Sequence, residues 1–224
     1  WIERIRNQLD QVDYVRIDHF RGFEAYWAVP YGEETAMGGK WKKGPGEDLF
    51  LAIQEALDGE LPILAEDLGV ITPEVERLRD RFHFPGMKVL QFGFEGGEST
   101  FLPHQLDTRN CVCYTGTHDN ETIVGWYQSI TEEEREMARN YLCDRYTPEK
   151  LLYQSFISLV MRSNAKTCII PIQDYLGYDN SCRMNKPSTL GINWRWRLKK
   201  GELGKALKEE ILAMTKRYGR MNWQ

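Results

Sequence analysis

Hydrophobic positions along this chain alternate between helical spacing and short continuous runs. Ile2, Ile5 and Leu9 share one face of W-I-E-R-I-R-N-Q-L, which predicts an amphipathic helix at the start. Tyr14 to Ile17 reads as a short buried strand ending at Asp18. A long Gly-, Lys- and aromatic-rich connection, Phe20 to Gly46, leads to a helix over Glu47 to Leu57. Leu61 to Ala65 is the next strand, stopping at Glu66 and Asp67. Thr72-Pro73-Glu74 has Thr as N-cap, Pro at the first helical position and an acid in the first turn, and so predicts a helix to Phe82.

The second half repeats the alternation. Strands are predicted over Gly86 to Phe94, Cys111 to Thr115 and Thr167 to Ile172, the last continuous and β-branched as in a buried parallel sheet. Helices are predicted over Glu121 to Gln128, Thr131 to Arg145, Pro148 to Ser163 and Leu203 to Tyr218, with a loop from Gln173 through Trp196. A leading helix and five strand–helix units imply an α/β protein built from parallel β/α units. Five units are too few to close an eight-stranded barrel of about 250 residues. On periodicity alone, an open doubly wound sheet is therefore a rival.

Composition narrows the class. The chain has 224 residues, 42% hydrophobic and 28% charged, with a net charge of -4, so it offers no basic surface for nucleic acid. No apolar run has membrane length. Five cysteines without metal-type spacing point to a reduced, cytoplasmic protein, with Cys111 and Cys113 sharing a buried strand face. Seven Trp suit a sugar-stacking cleft, although most rings are expected in the core. The chain opens inside a helical pattern, with no initiator Met and no cap, and reads as one joined part-way through.

Three carboxylate-bearing segments stand where apolar strands give way to loops: R-I-D-H-F-R-G (16–22), L-A-E-D-L-G (64–69) and T-G-T-H-D-N (115–120). Cleaving a glycosidic bond with retention needs one carboxylate as nucleophile and another as acid/base. Arg16 and Asp18 leave the same strand face, so Arg16 is placed to hold Asp18 ionised, or the two form a structural ion pair. Glu66 and Asp67 are either an acid at a strand end or a solvated turn. The segment His118-Asp119-Asn120 is either a ligand-facing cluster or the cap of the next helix. G-G-K-W-K-K-G-P-G (38–46) lacks phosphate-loop spacing and is expected to be a solvated mobile loop. The stretch Arg183 to Arg197 is either a lid or a packed turn.

The text around these segments is similar to that of the amylomaltases, bacterial and plastid 4-α-glucanotransferases (disproportionating enzymes) of the α-amylase clan. The matching runs are R-I-D-H-F-R-G-F-E-A-Y-W-A-V-P, G-K-W-K-K-G-P-G, L-P-I-L-A-E-D-L-G-V-I-T-P-E-V, P-G-M-K-V-L-Q-F, Y-T-G-T-H-D-N-E-T, R-M-N-K-P and N-W-R-W-R, in order from Val12 to Leu198. The resemblance implies a parallel (β/α)8 TIM barrel. Residues 1–224 would supply roughly strands four to eight, as the C-terminal part of one catalytic domain. The half with the earlier strands would be absent.

Carried over position by position, Asp18 resembles the nucleophile, Glu66 the general acid/base and Asp119 the third carboxylate, which binds the distorted sugar ring. Arg16 resembles the arginine that positions the nucleophile. Asp67, Phe92, His118 and Asn185 are expected among the substrate-binding residues, with Asn185 on a loop that reaches over bound glucan. The family has Pro-Gly after R-M-N-x where this chain has Pro187-Ser188, a change affecting loop flexibility and not the chemistry. The implied ligands are α-1,4-glucans and maltooligosaccharides, as donor and acceptor.

The chemistry calls for no cofactor and no metal, and neither nucleic acid nor membrane is an expected partner. The segments around Trp27, Trp41, Trp194 and Trp196 are candidates for the cover that keeps water out. An α-glucan hydrolase using the same acids and a non-catalytic glucan-binding fragment are the alternatives.

Overall fold

The structure, a computed structural model, describes residues 1–59, 61–95 and 99–221 and divides into two compact units, Trp1–Met87 and Lys88–Gln224.

In the first unit, helix α1 (Ile2–Leu9) lays Ile5 into the core with Ile2 and Leu9 packed beside it, as the spacing predicts. Strand β1 (Val15–Ile17) is followed by a 3₁₀ turn over Phe20–Phe23. Next come strands β2 (Ala25–Ala28) and β3 (Lys40–Lys43), an antiparallel pair, then helix α2 (Gly46–Ala56). Strand β4 (Ile63–Ala65) pairs with β1 in parallel, and helix α3 (Pro73–Arg81) closes the unit with Thr72 at its N-cap position. Phe20, Phe50 and Phe84 are fully buried and pack with ring centroids 5.2 to 5.9 Å apart. Tilted and edge-on aromatic pairs of this kind add about 0.5–1.5 kcal/mol beyond burial. Because Phe20 is only two residues past Asp18, this core fixes the end of β1.

Strand β3 lies in the segment read from sequence as a solvated mobile loop (38–46), and β2 in the long connection before it. Trp27 and Trp41 are direct cross-strand partners, 5.5 Å apart edge to face, and Arg21 stacks 4.3 Å over Trp41. The strand is missed from sequence because β3 is exposed along its whole length and carries no apolar alternation. Cross-strand aromatic pairing supplies what burial does not.

Strand β5 (Gly86–Val89) begins at the end of the first unit. With β6 (Cys111–Tyr114) and β7 (Thr167–Ile169) it forms a sheet in the order β5-β6-β7, with β6 and β7 parallel and Cys113 aligned with Cys168. The predicted strand to Phe94 stops at Val89, where a 3₁₀ turn (Leu90–Phe94) takes over.

Helices α4 (Ile123–Ser129), α5 (Glu132–Leu142), α6 (Leu152–Met161), α7 (Ile172–Tyr175) and α8 (Lys205–Arg217) complete the second unit. Helix α5 starts with a Thr131–Glu134 capping box. Its core gathers Leu90, Phe94, Trp126, Leu152 and Phe156 around the buried Cys111 and Cys113. Contrary to the expected buried strand, Thr167 and Ile169 of β7 are exposed, because β7 has one sheet neighbour, β6. The expectation that most aromatic rings are core holds for phenylalanine and fails for tryptophan. Among the described residues, only Trp126 of the indoles is buried. No helix among them is long and apolar enough to cross a membrane.

Candidate active site

The parallel pairing of β1 and β4 aligns Ile17 with Ala65, so Asp18 and Glu66 leave neighbouring strand ends at the same level. The junction is knitted by backbone bonds: Glu66 N–H to the Ile17 carbonyl at 2.9 Å, and Phe20 N–H to the Glu66 carbonyl at 3.0 Å. The Glu66 carboxylate accepts the His19 N–H at 2.6 Å and the Leu68 N–H at 3.0 Å. It therefore rests against the peptide that joins Asp18 to His19. His19 adopts φ 49°, ψ 51°, a left-handed conformation uncommon outside glycine, which turns the chain at this point. Gly22 leaves the His19 ring its space, since a Cβ there would lie 3.1 Å from the imidazole.

Arg16 donates to Asp18 Oδ1 at 2.8 Å and also reaches the Met87 sulfur at 3.5 Å. The Asp18 side chain is 79% exposed and that of Arg16 only 28%, so a partly shielded cation orients an accessible carboxylate. Arg21 donates to the carbonyl of Val70, tying the segment after Asp18 to the loop after Glu66.

Asp67 faces inward. It accepts from Arg79 Nη1 at 2.6 Å and from the Met87 N–H at 2.7 Å, and both side chains of the ion pair are buried. Burial disfavours the Arg79 cation, yet its bonds to Asp80 and Asp67 outweigh this and hold its pKa above the usual range. Gly86 is required alongside, because a Cβ would lie 2.3 Å from the Asp67 carboxylate. Of the adjacent acids, Glu66 is half-buried at the strand end and Asp67 anchors that end to α3.

In the second unit, β6 ends in the loop that carries His118 and Asp119. Helix α4 is capped by Thr122, whose hydroxyl accepts the Gly125 N–H at 3.1 Å, so neither Asp119 nor Asn120 serves as its cap. Asn120 instead closes the turn by accepting from the Thr117 N–H and hydroxyl at 2.9 and 2.7 Å. Asp119 Oδ1 accepts from the Asn185 amide at 2.6 Å, and Oδ2 lies 3.3 Å from His118 Nε2. The Asn185 N–H donates to the His118 carbonyl at 3.0 Å, and Arg183 donates to the Asp119 carbonyl at 2.6 Å. Trp194, itself at φ 64°, packs on the His118 ring with centroids 5.1 Å apart. The R-M-N-K-P segment is thus latched onto the H-D-N segment. Phe92 lies half-buried and meets Phe101 edge to face at 5.6 Å, apart from these contacts.

Sequence reading passes over Arg183 as a site residue, and over Gln91 and Asp174 altogether. Gln91 is buried and donates to the Glu121 carbonyl at 2.8 Å. Asp174 lies in a segment read as loop. A buried carboxylate leaves no periodic signal, so nothing in the local pattern marks it.

Residues 1–203 match the family model described as 4-alpha-glucanotransferase. A 4-alpha-glucanotransferase of Synechocystis sp. is 48% identical over 224 residues, covering 98% of this chain and 43% of the relative. That of Thermus thermophilus is 49% identical over 220 residues, covering 96% and 44%. An amylomaltase of Streptococcus agalactiae, solved in complex with acarbose, superimposes with a TM-score of 0.93 at 40% identity, covering 99% of this chain and 44% of that one. This chain therefore spans less than half the length of these relatives. With nine-tenths of its residues inside the family model and the acid-bearing strand ends R-I-D and A-E-D in parallel register, the chain belongs to the 4-alpha-glucanotransferase family.

Proposed function

We propose that this chain carries the catalytic carboxylates of an α-1,4-glucan transferase working by retaining double displacement. The observation that carries this reading is the register of β1 and β4, with Asp18 and Glu66 at equivalent strand ends and Glu66 against the Asp18–His19 peptide. Neighbouring strands lie about 4.7–4.9 Å apart. Side chains leaving adjacent strand ends are near enough neighbours for the roughly 5–5.5 Å carboxyl separation that a retaining pair needs.

Asp18, oriented by Arg16, attacks the anomeric carbon while Glu66 protonates the departing 4-oxygen. The C1–O4 bond breaks, a C1–carboxylate ester to Asp18 forms, and the leaving segment departs with a free 4-hydroxyl. Glu66 then takes the proton from the 4-hydroxyl of an incoming sugar, whose oxygen attacks C1. The ester breaks and a new α-1,4 bond remains. To act, Glu66 must exchange its bonds to His19 and Leu68 for the glycosidic oxygen, a side-chain rotation within the half-buried strand end. As the family resemblance implies, Asp119, His118 and Asn185 bind sugar hydroxyls, and Phe92 offers an apolar surface. Asp67 anchors the strand that carries Glu66 and does not itself touch sugar.

Trp27, Trp41, Trp194 and Trp196 supply aromatic cover that favours a sugar acceptor over water. The five strands outside the β2–β3 pair fit strands four to eight of a (β/α)8 barrel. The five cysteines form no disulfide, which fits a cytoplasmic setting. The ligands are maltooligosaccharides and longer α-1,4-glucans.

The deciding experiment is incubation with maltotriose and separation of the products. A ladder of longer oligosaccharides plus glucose, abolished in Asp18→Asn, is the expected result. Release of glucose without a ladder would make the protein a hydrolase. Glucan binding with no turnover would make it a binder.

A further inference from the structure

We infer that Asp174 is the positioning residue of the loop carrying His118 and Asp119, a buried clamp that joins the two ends of that loop. Its link to sugar binding rests on the function proposed above. The loop leaves β6 at Thr115 and re-enters regular structure at Ile123, the first residue of α4. Asp174 Oδ2 accepts the Thr115 hydroxyl at 2.5 Å, and Oδ1 accepts the Ile123 N–H at 2.8 Å. One carboxylate on α7 therefore fixes both ends of the segment and the distance between them.

Asp174 is 0% exposed, and among the described residues it makes no ion pair. A carboxylate in that position is disfavoured by desolvation and is tolerated because both of its oxygens accept hydrogen bonds. What the carboxylate supplies is two acceptor oxygens aimed at two different elements. Other anchors hold interior points of the segment: Gln91 bonds the Glu121 carbonyl, Asn180 accepts the Thr122 N–H at 3.2 Å and donates to the Glu121 carboxylate at 2.7 Å, and Asn185 bonds His118 and Asp119, whereas Asp174 bonds the two ends. Gly116 has no room for a Cβ, which would lie 2.6 Å from Gln91 Nε2, so the entry to the loop is held tightly. Beneath the loop lies a cavity of about 140 Å³ lined by Asp174, Gln173, His118, Asn120, Glu121 and Arg183. Part of the loop thus faces open space while its two ends are fixed from α7. Burial also pushes the Asp174 carboxyl up to about 6, against the lowering effect of its bonds to Thr115 and Ile123.

The test is amide hydrogen exchange on the wild-type chain, Asp174→Ala and Asp174→Asn. Asn retains an acceptor for Ile123 and can donate to the Thr115 oxygen. Exchange over 116–122 should rise roughly tenfold or more in Asp174→Ala, with Asp174→Asn within about threefold of wild type and β1–β4 amides unchanged. Unchanged loop exchange in Asp174→Ala, a uniform rise throughout the second unit, or no rescue by Asn would each overturn the clamp. If Asp174→Ala does not fold, Thr115→Val removes one of the two bonds, and an unaltered loop there overturns it equally.

Maltotriose redistribution measured in parallel should show kcat falling in Asp174→Ala with KM nearly constant, and recovering in Asp174→Asn. If wild-type protein leaves maltotriose untouched, the proposed function fails while the exchange data still decide the clamp.

Discussion

The side-chain amide of Asn185 donates to Asp119 Oδ1 at 2.6 Å, while its backbone N–H separately donates to the His118 carbonyl. The two bonds can be separated by mutation. Asn185→Ala removes the orienting contact on Asp119 and leaves the backbone latch in place. The kcat for maltotriose redistribution should fall roughly threefold to tenfold, with stability changed by about 1 kcal/mol or less. An unchanged kcat would show that this amide does not orient the carboxylate.

The buried pair Asp67–Arg79 and the exposed pair Glu74–Arg77 are both formed at 2.6 Å, through arginines two positions apart on α3. Their environments set different consequences. Arg79→Ala leaves Asp67 charged and unpaired in the core and should cost about 3–5 kcal/mol. Arg77→Ala should cost about 0–1 kcal/mol, because water screens that pair. Urea unfolding of the two variants checks the contrast. Similar losses in both would mean that Asp67 finds another donor.

Asp174 makes stability depend on pH. Its carboxyl is held at about 6 against an ordinary 3.8, so the folded state binds this proton more tightly than the unfolded chain does. The resulting stabilisation is fully present below pH 3.8 and is lost as pH rises through about 6. At most it amounts to about 3 kcal/mol, from the size of the shift. Asp174→Asn removes the titration, so its melting temperature should gain on wild type between pH 4.5 and 7.5. His118, Glu121 and Arg183 face the same cavity in both proteins. A constant difference across that range would refute the assignment.

Cysteine reactivity should follow exposure. Cys143 is exposed, whereas Cys113 is buried and its thiol is pushed up to about 12 by burial, with Cys168 and Cys111 adding to the effect. Brief iodoacetamide treatment of native protein at pH 8 should alkylate Cys143 and spare Cys113, with all five modified in denaturant. Peptide mass spectrometry reads both states. Early labelling of Cys113 would mean that the β6 core opens readily.

What the sequence determines by itself is the order of elements and the location of the acids. Apolar runs that give way at Asp18, Glu66 and Thr115 mark strand ends, because a largely buried strand carries few polar side chains until it leaves the core, Arg16 of β1 and Lys88 of β5 being exceptions. Family-like text then names roles for those acids. Tertiary structure alone decides which way each carboxylate points. Glu66 and Asp67 are adjacent in sequence just past the end of β4, yet one meets the Asp18–His19 peptide and the other the buried Arg79.

The same holds where contacts span distant segments. The latch of Asn185 on Asp119 joins residues 66 apart, and the clamp from Asp174 to Thr115 joins residues 59 apart. No local pattern encodes either contact. The exposed β3 strand was illegible for a related reason: its stability comes from Trp27 on the partner strand and not from its own burial. Periodicity records which residues leave water. It does not record which polar groups meet after they do.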